Sequence, residues 1–141
     1  MAESLKIQID LPVSPERVYR AWLDSHEHSQ FTGGEARIDA RVGGKYTAWD
    51  GYIEGETQVM TPFTRIVQTW RTSEFPSHSP DSQIEIKLEP TCLGSLLTLD
   101  QTGIPDGQAK QYLQGWEDYY FRPLREYFDT LLGDNAVEID G

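Results

Sequence analysis

The side chains that could carry acid–base, nucleophilic or metal chemistry are few: His26, His28, His78 and Cys92, with the carboxylates Glu54 and Glu56 two positions apart. His26 and His28 have Asp24 and Glu27 nearby. A zinc ion needs three or four ligands converging on one point, and helical positions two apart point away from each other. No CxxC or HExxH spacing supplies further ligands, so no metal site is predicted and the histidines read as solvent-exposed. Cys92 falls in a predicted turn with no histidine near it in sequence, and no GxSxG elbow is present. Glu54 and Glu56 could act as an acid–base pair, although the solvated face of an antiparallel strand explains them more simply. A bulge at Gly55 would turn one of them inward. The Gly-Gly pairs lie in hairpins rather than ahead of a helix, so no phosphate-binding loop is read from them.

The aromatic residues carry more information. From Asp106 to Leu132 the apolar positions are Ala109, Tyr112, Leu113, Trp116, Tyr119, Tyr120, Leu124, Tyr127, Phe128 and Leu131. Steps of three and four fit one amphipathic helix and no strand. Such a face could seal a solid core or roof a cavity, because rings bury much area and their phenol and indole groups need polar partners. Gly115 inside the helix costs about 1 kcal/mol relative to alanine, which suggests close sheet approach or space kept open. Pro123 removes a backbone hydrogen bond and crowds the carbonyl of Tyr119, so a kink is predicted between Tyr119 and Pro123. It is either a packing accommodation or the shaping of a pocket mouth. The predicted lining of that pocket is Trp22, Phe31, Tyr46, Trp49, Tyr52, Trp70, Phe75, Tyr112, Trp116, Tyr119 and Tyr120, an apolar set with a few polar tips.

The elements that must position these groups can be read in order. Ser4 to Leu11 alternates as a strand. Ser14 followed by Pro15 starts a short helix that buries Val18, Tyr19 and Trp22, and a second helical turn runs from Asp24 to Gln30. Ala36 to Arg41 and Lys45 to Trp49 flank Gly43-Gly44 as a hairpin. Asp50-Gly51 reads as a two-residue turn before the strand Tyr52 to Met60. Strands follow at Arg65 to Thr72, Gln83 to Glu89 and Leu93 to Gln101, with Phe75 to Ser82 as a loop. Strands segregated from helices in this way predict an α+β fold with an antiparallel sheet covered on one side. A curved sheet wrapped around the long helix would bury the aromatic stripe.

A length of 141 residues suits one domain, expected at 1–132, with 133–141 as a flexible acidic tail. The formal charge of −11 argues against binding nucleic acid or anionic membrane surfaces, and no stretch approaches the ~18 apolar residues of a membrane span. Met1 to Asp10 lacks the pattern of a signal peptide, and a single cysteine fits a reducing cytoplasm.

Four stretches resemble the activator of heat-shock-protein-90 ATPase homologue family, a branch of the START-like, or SRPBCC, helix-grip superfamily. They are Val13-Ser14-Pro15-Glu16-Arg17-Val18-Tyr19-Arg20-Ala21-Trp22, Val42-Gly43-Gly44-Lys45-Tyr46, Arg65-Ile66-Val67-Gln68-Thr69-Trp70-Arg71 and Gln114-Gly115-Trp116-Glu117-Asp118-Tyr119-Tyr120-Phe121. The resemblance implies a helix-grip fold, with about six to seven antiparallel strands curved around one long C-terminal helix and two short helices after the first strand. It also implies an apolar cavity between sheet and helix. The family's eukaryotic co-chaperone carries a separate N-terminal domain supplying most of its chaperone contact, and this sequence has no counterpart of it. Full ATPase activation is therefore not expected to carry over.

Three functions follow as expectations. The first is a non-catalytic, cofactor-free domain binding a small hydrophobic or aromatic ligand. The second is a co-chaperone-like interaction module of the stress response. The third is a cyclase-like helix-grip enzyme, which a buried acid beside Trp116 would favour.

Overall fold

Leu5, Ile7, Ile9 and Leu11 alternate with exposed neighbours along β1 (Glu3–Leu11), as the period-two pattern requires. This is the first strand of a computed structural model that describes residues 2–140, with side chains through 132. The acidic tail expected at 133–141 lies outside these fully described residues. Helix α1 (Pro15–Leu23) starts where Ser14 accepts the Arg17 amide. Its neighbour α2 (Ser25–Thr32) is capped by Asp24, which accepts from the Glu27 amide, and ends at Gly33 in the left-handed region.

The strands β2 (Arg37–Ile38), β3 (Lys45–Ala48), β4 (Ile53–Thr61), β5 (Arg65–Thr72), β6 (Ser82–Thr91) and β7 (Gly94–Ile104) follow. They form one antiparallel sheet with the order β1-β7-β6-β5-β4-β3-β2. Closing β1 onto β7 pairs Leu5 with Gln101 and Leu11 with Ser95. The fold is the α+β helix-grip arrangement: a seven-stranded antiparallel sheet, two short helices after the first strand and a long C-terminal helical segment. One face of the sheet supplies the core through Ile66, Ile84, Ile86, Leu97 and Leu99, all fully buried, and the helix adds Leu124 and Phe128. Each such side chain contributes roughly 1.5–3 kcal/mol of burial.

Three departures from the sequence reading bear on the site. The Gly43-Gly44 hairpin is wider than a tight turn, because β2 covers only Arg37–Ile38 and the Gly43 amide donates across to Thr57 O at 2.8 Å. The connection from β3 to β4 is four residues, not two: Trp49, Asp50 and Gly51 have φ of 52°, 58° and 90°. A left-handed tryptophan is uncommon. Here it is held because Asp50 exchanges two hydrogen bonds with the Glu35 backbone, N to O at 3.0 Å and Glu35 N to Oδ1 at 2.9 Å.

The third departure is in the long helix, which is not one regular α-helix. It comprises α3 (Ala109–Gly115), a π-helical segment (Trp116–Phe121) and α4 (Arg122–Asp140). The Arg122 amide donates to Glu117 O, five residues back. Pro123 has no amide to donate and would crowd a carbonyl four residues earlier, and widening the preceding turn relieves both problems. The predicted kink thus takes the form of a π turn, and the extra residue changes which side chains face inward. Phe121 is buried, whereas Leu113 and Tyr119 are 38% and 59% exposed.

Candidate functional site

Between the sheet and the α3–π segment lies a cavity of about 450 Å³. Its floor comes from Ile53 on β4 and Trp70 on β5, one wall from Trp49 and Tyr52 of the left-handed turn, and its roof from Tyr112, Trp116, Tyr119 and Tyr120. Glu74 and Gln111 complete the lining and are exposed at one side, so the cavity opens to solvent there. Gly115 faces it too. A Cβ built on Gly115 would meet only the Tyr119 ring, at 4.0 Å, so the absent side chain leaves space rather than admitting backbone.

Of the eleven predicted lining residues, seven surround this cavity: Trp49, Tyr52, Trp70, Tyr112, Trp116, Tyr119 and Tyr120. The other four lie elsewhere. Trp22 and Tyr46 border a void of about 10 Å³ behind the wall formed by Trp70, Trp116 and Tyr120. Phe31 lines a groove beside Tyr127 and Leu131 of α4. Phe75 is buried against Trp70 and Tyr112, with ring centroids 6.0 and 5.9 Å away. An apolar position in a helix, strand or loop does not say which cavity its ring will face, so these four read like the rest in sequence.

The Trp116 and Trp22 rings are fixed by buried amides that the sequence reading missed. Trp116 Nε1 donates to Gln101 Oε1 at 2.9 Å, Gln101 Nε2 to Ser82 Oγ at 3.0 Å, and Ser82 Oγ to Trp70 O at 2.6 Å. Trp22 Nε1 donates to Gln68 Oε1 at 3.4 Å, and Gln68 Nε2 to Thr57 Oγ1 at 3.1 Å. Both glutamines are fully buried, and every bond removes a donor that would be costly unpaired. The signal was available: Gln68 shares strand parity with Ile66 and Trp70, and Gln101 with Leu97 and Leu99. The group beside the Trp116 indole is therefore an amide, not a carboxylic acid.

His28 corrects the expectation of solvent-exposed histidines. It is 3% exposed, with Nδ1 2.8 Å from Trp22 O and Nε2 3.0 Å from the Tyr120 hydroxyl. A carbonyl only accepts, so Nδ1 carries the proton and Nε2 accepts from Tyr120. Desolvation lowers the His28 pKa to about 4, against the opposing pull of the Trp22 carbonyl. Burial likewise keeps the Tyr120 phenol neutral by raising its pKa. His26 and His78 are exposed, as are Glu54 and Glu56. The β4 bulge falls between Thr57 and Val59 rather than at Gly55, so neither carboxylate turns inward. Gly55 is required instead because a Cβ there would run into the Thr69 carbonyl and the Tyr46 ring. Cys92 is exposed. Among the described residues no cluster could hold a metal ion and no helix is long and apolar enough to cross a membrane.

The polar groups of the cavity mouth gather on Glu74. Tyr52 donates its hydroxyl to Glu74 Oε2, and Gln111 Nε2 approaches the same oxygen at 3.4 Å. The Glu74 backbone is held by Thr72 Oγ1 at 3.1 Å and by Gln108 Nε2 at 3.1 Å. The Tyr112 hydroxyl donates to Gln108 Oε1 at 2.6 Å and accepts from Thr72 Oγ1 at 2.8 Å. Burial, then the bond to Glu74, pushes the Tyr52 pKa up to about 12, so it remains a donor through neutral pH.

A family model described as Activator of Hsp90 ATPase homolog 1-like protein matches residues 12–129. The chain is 30% identical over 115 residues to the human Activator of 90 kDa heat shock protein ATPase homolog 1, covering 82% of this chain and 34% of that protein. It is 29% identical over 118 residues to the Dictyostelium discoideum homolog, covering 82% and 30%. It thus spans about a third of the length of these curated relatives, at 34% and 30%. A solved HSP90 activator from Plasmodium falciparum shares the fold with a TM-score of 0.80 at 23% identity, covering 92% of this chain and 96% of that one. A protein from Chromobacterium violaceum superposes with a TM-score of 0.72 at 28% identity, covering 89% and 96%.

Proposed function

The chain belongs to the Activator of Hsp90 ATPase homolog 1-like family, and from that premise we propose that it is a ligand-binding helix-grip domain, non-catalytic, taking a small hydrophobic or aromatic molecule into the sheet–helix cavity. The observation that carries this reading is the cavity itself: about 450 Å³, with seven aromatic residues among its eleven lining residues. That volume lies within the roughly 300–1,000 Å³ of ordinary small-molecule sites. Burying ~200 Å² of apolar ligand surface there would contribute about 5 kcal/mol before the entropic costs of association. The Trp116 ring is already held in place by Gln101. Chemical-shift mapping with the neutral probe N-phenyl-1-naphthylamine tests this. Resonances of Tyr112 to Tyr120 and the indole N–H groups of Trp70 and Trp116 should move together and saturate; shifts confined to surface loops would sink the reading.

A second reading is favoured by the match to the human relative, whose name describes activation of a 90 kDa heat-shock protein ATPase. Here the domain would contact a chaperone in the cytoplasm as part of a stress response. Adding excess domain to the cognate chaperone should then change its ATP turnover, and unchanged turnover at saturation would remove this reading.

A further inference from the structure

Glu74 is the one acidic or basic side chain among the eleven residues around the cavity. The ion pairs of the described residues do not include it. Among the described residues its carboxylate accepts from the neutral donors Tyr52 and Gln111, both on Oε2. The nearby cation Arg71 is committed elsewhere, to Asp81 at 2.8 Å and to the Ser79 and Pro76 carbonyls at 3.0 and 3.2 Å. The carboxylate is also held in place from behind, through the Thr72 and Gln108 contacts to its backbone.

The rest of the lining is mixed in sign: ring faces are negative, while ring edges and the buried Trp49 indole N–H, which has no hydrogen-bond partner among the described residues, are positive. Trp70 and Tyr112 meet edge to face at 4.9 Å and 82°, and Trp49 and Tyr119 at 5.8 Å and 74°. Rings set this way do not all turn the same part inward, so the lining carries π faces as well as edges. A π face is negative and attracts cations, most strongly when the cation is a weakly hydrated ammonium. An anionic ligand would meet the Glu74 carboxylate unfavourably.

We propose that the cavity selects an organic cation, an amine or quaternary ammonium with an aromatic or apolar body, and that Glu74 is the residue that sets this charge preference. The proposal rests on the cavity being a ligand site and adds the class of ligand. The body fills the space beside Gly115 and against the packed Trp70 and Trp116 rings, while the cationic head lies at the mouth against Glu74.

Three probes of matched shape separate the two ideas: 2-naphthylmethyl-trimethylammonium, its uncharged carbon isostere 2-neopentylnaphthalene, and 2-naphthylacetate. Each is titrated against the full chain and against Glu74→Gln, with Trp70 and Trp116 indole shifts as the readout. The cation should bind at least tenfold more tightly than the isostere, and the acetate more weakly than both. In Glu74→Gln the advantage of the cation should fall to within about threefold while the isostere keeps its affinity. Glu74 is exposed, so the variant should retain its circular dichroism and unfolding midpoint. Equal binding of cation and isostere by the unaltered chain overturns the charge preference and leaves the cavity reading standing. A cation advantage that survives Glu74→Gln overturns the role of Glu74. Binding of none of the three overturns both.

Discussion

His28 ties the short helices to the long one, and its burial makes a titration prediction. Its pKa is about 4 in the folded chain, against roughly 6.5 for a free histidine. Between those values the unfolded chain binds the proton and the folded chain does not. Stability should therefore be full above about pH 6.5 and fall as the pH drops toward 4, by roughly 3 kcal/mol for this group. Urea midpoints at several pH values read this directly, and His28→Gln should flatten the profile above pH 4.5; an unchanged slope in the variant would assign the dependence to other groups. Nothing in the spacing of His26 and His28 distinguishes one from the other. The difference lies in the Trp22 carbonyl and the Tyr120 hydroxyl, and the second of these is 92 residues away. Gln68 and Gln101 differ in this respect, because strand parity already pointed both inward. A polar residue in an inward position is a readable sign of a buried network, whereas a short-range histidine pair is not.

At the scale of the element, Pro123 announced that the long helix would be disturbed but not how. A 3.6-residue period drawn through Trp116 accommodates either Tyr119 or Tyr120, and it leaves Phe121 outside the stripe. The π turn changes that assignment by burying Tyr120 and Phe121 together and leaving Tyr119 at the cavity rim. Substitution should reveal the altered register. Phe121→Ala should cost about 3–5 kcal/mol, as for a large buried ring, while Leu113→Ala, half exposed, should cost about 1 kcal/mol or less. A larger cost for Leu113→Ala than for Phe121→Ala in denaturant titrations would mean that the helix faces follow the regular period. The element order and the seven-stranded sheet were legible because hydrophobic alternation and turn residues are local signals. The width of the Gly43-Gly44 loop and the left-handed Trp49 were not. Both depend on partners across the fold, Thr57 for the Gly43 amide and Glu35 for Asp50.

At the scale of the whole molecule, a sheet curved around an aromatic helix must either fill the enclosed space or leave it, and here one end is filled and the other is open. Trp22, Phe31 and Tyr120 pack together at the end nearest the short helices, where the void beside Trp22 is about 10 Å³. At the other end Gly115 and the Trp49–Tyr52 turn leave about 450 Å³. The ligand reading depends on that space, so blocking it is the most direct test. A leucine at position 115 has room for its Cβ against Tyr119, and its side chain would project into the cavity. It should also raise helix propensity, by up to ~1 kcal/mol over glycine. The measurement is the affinity of N-phenyl-1-naphthylamine for the unaltered chain and for Gly115→Leu, with unfolding midpoints recorded alongside. The cavity account predicts saturable binding to the unaltered chain, weakened at least tenfold in Gly115→Leu with stability retained; equal affinity for the two proteins would contradict it.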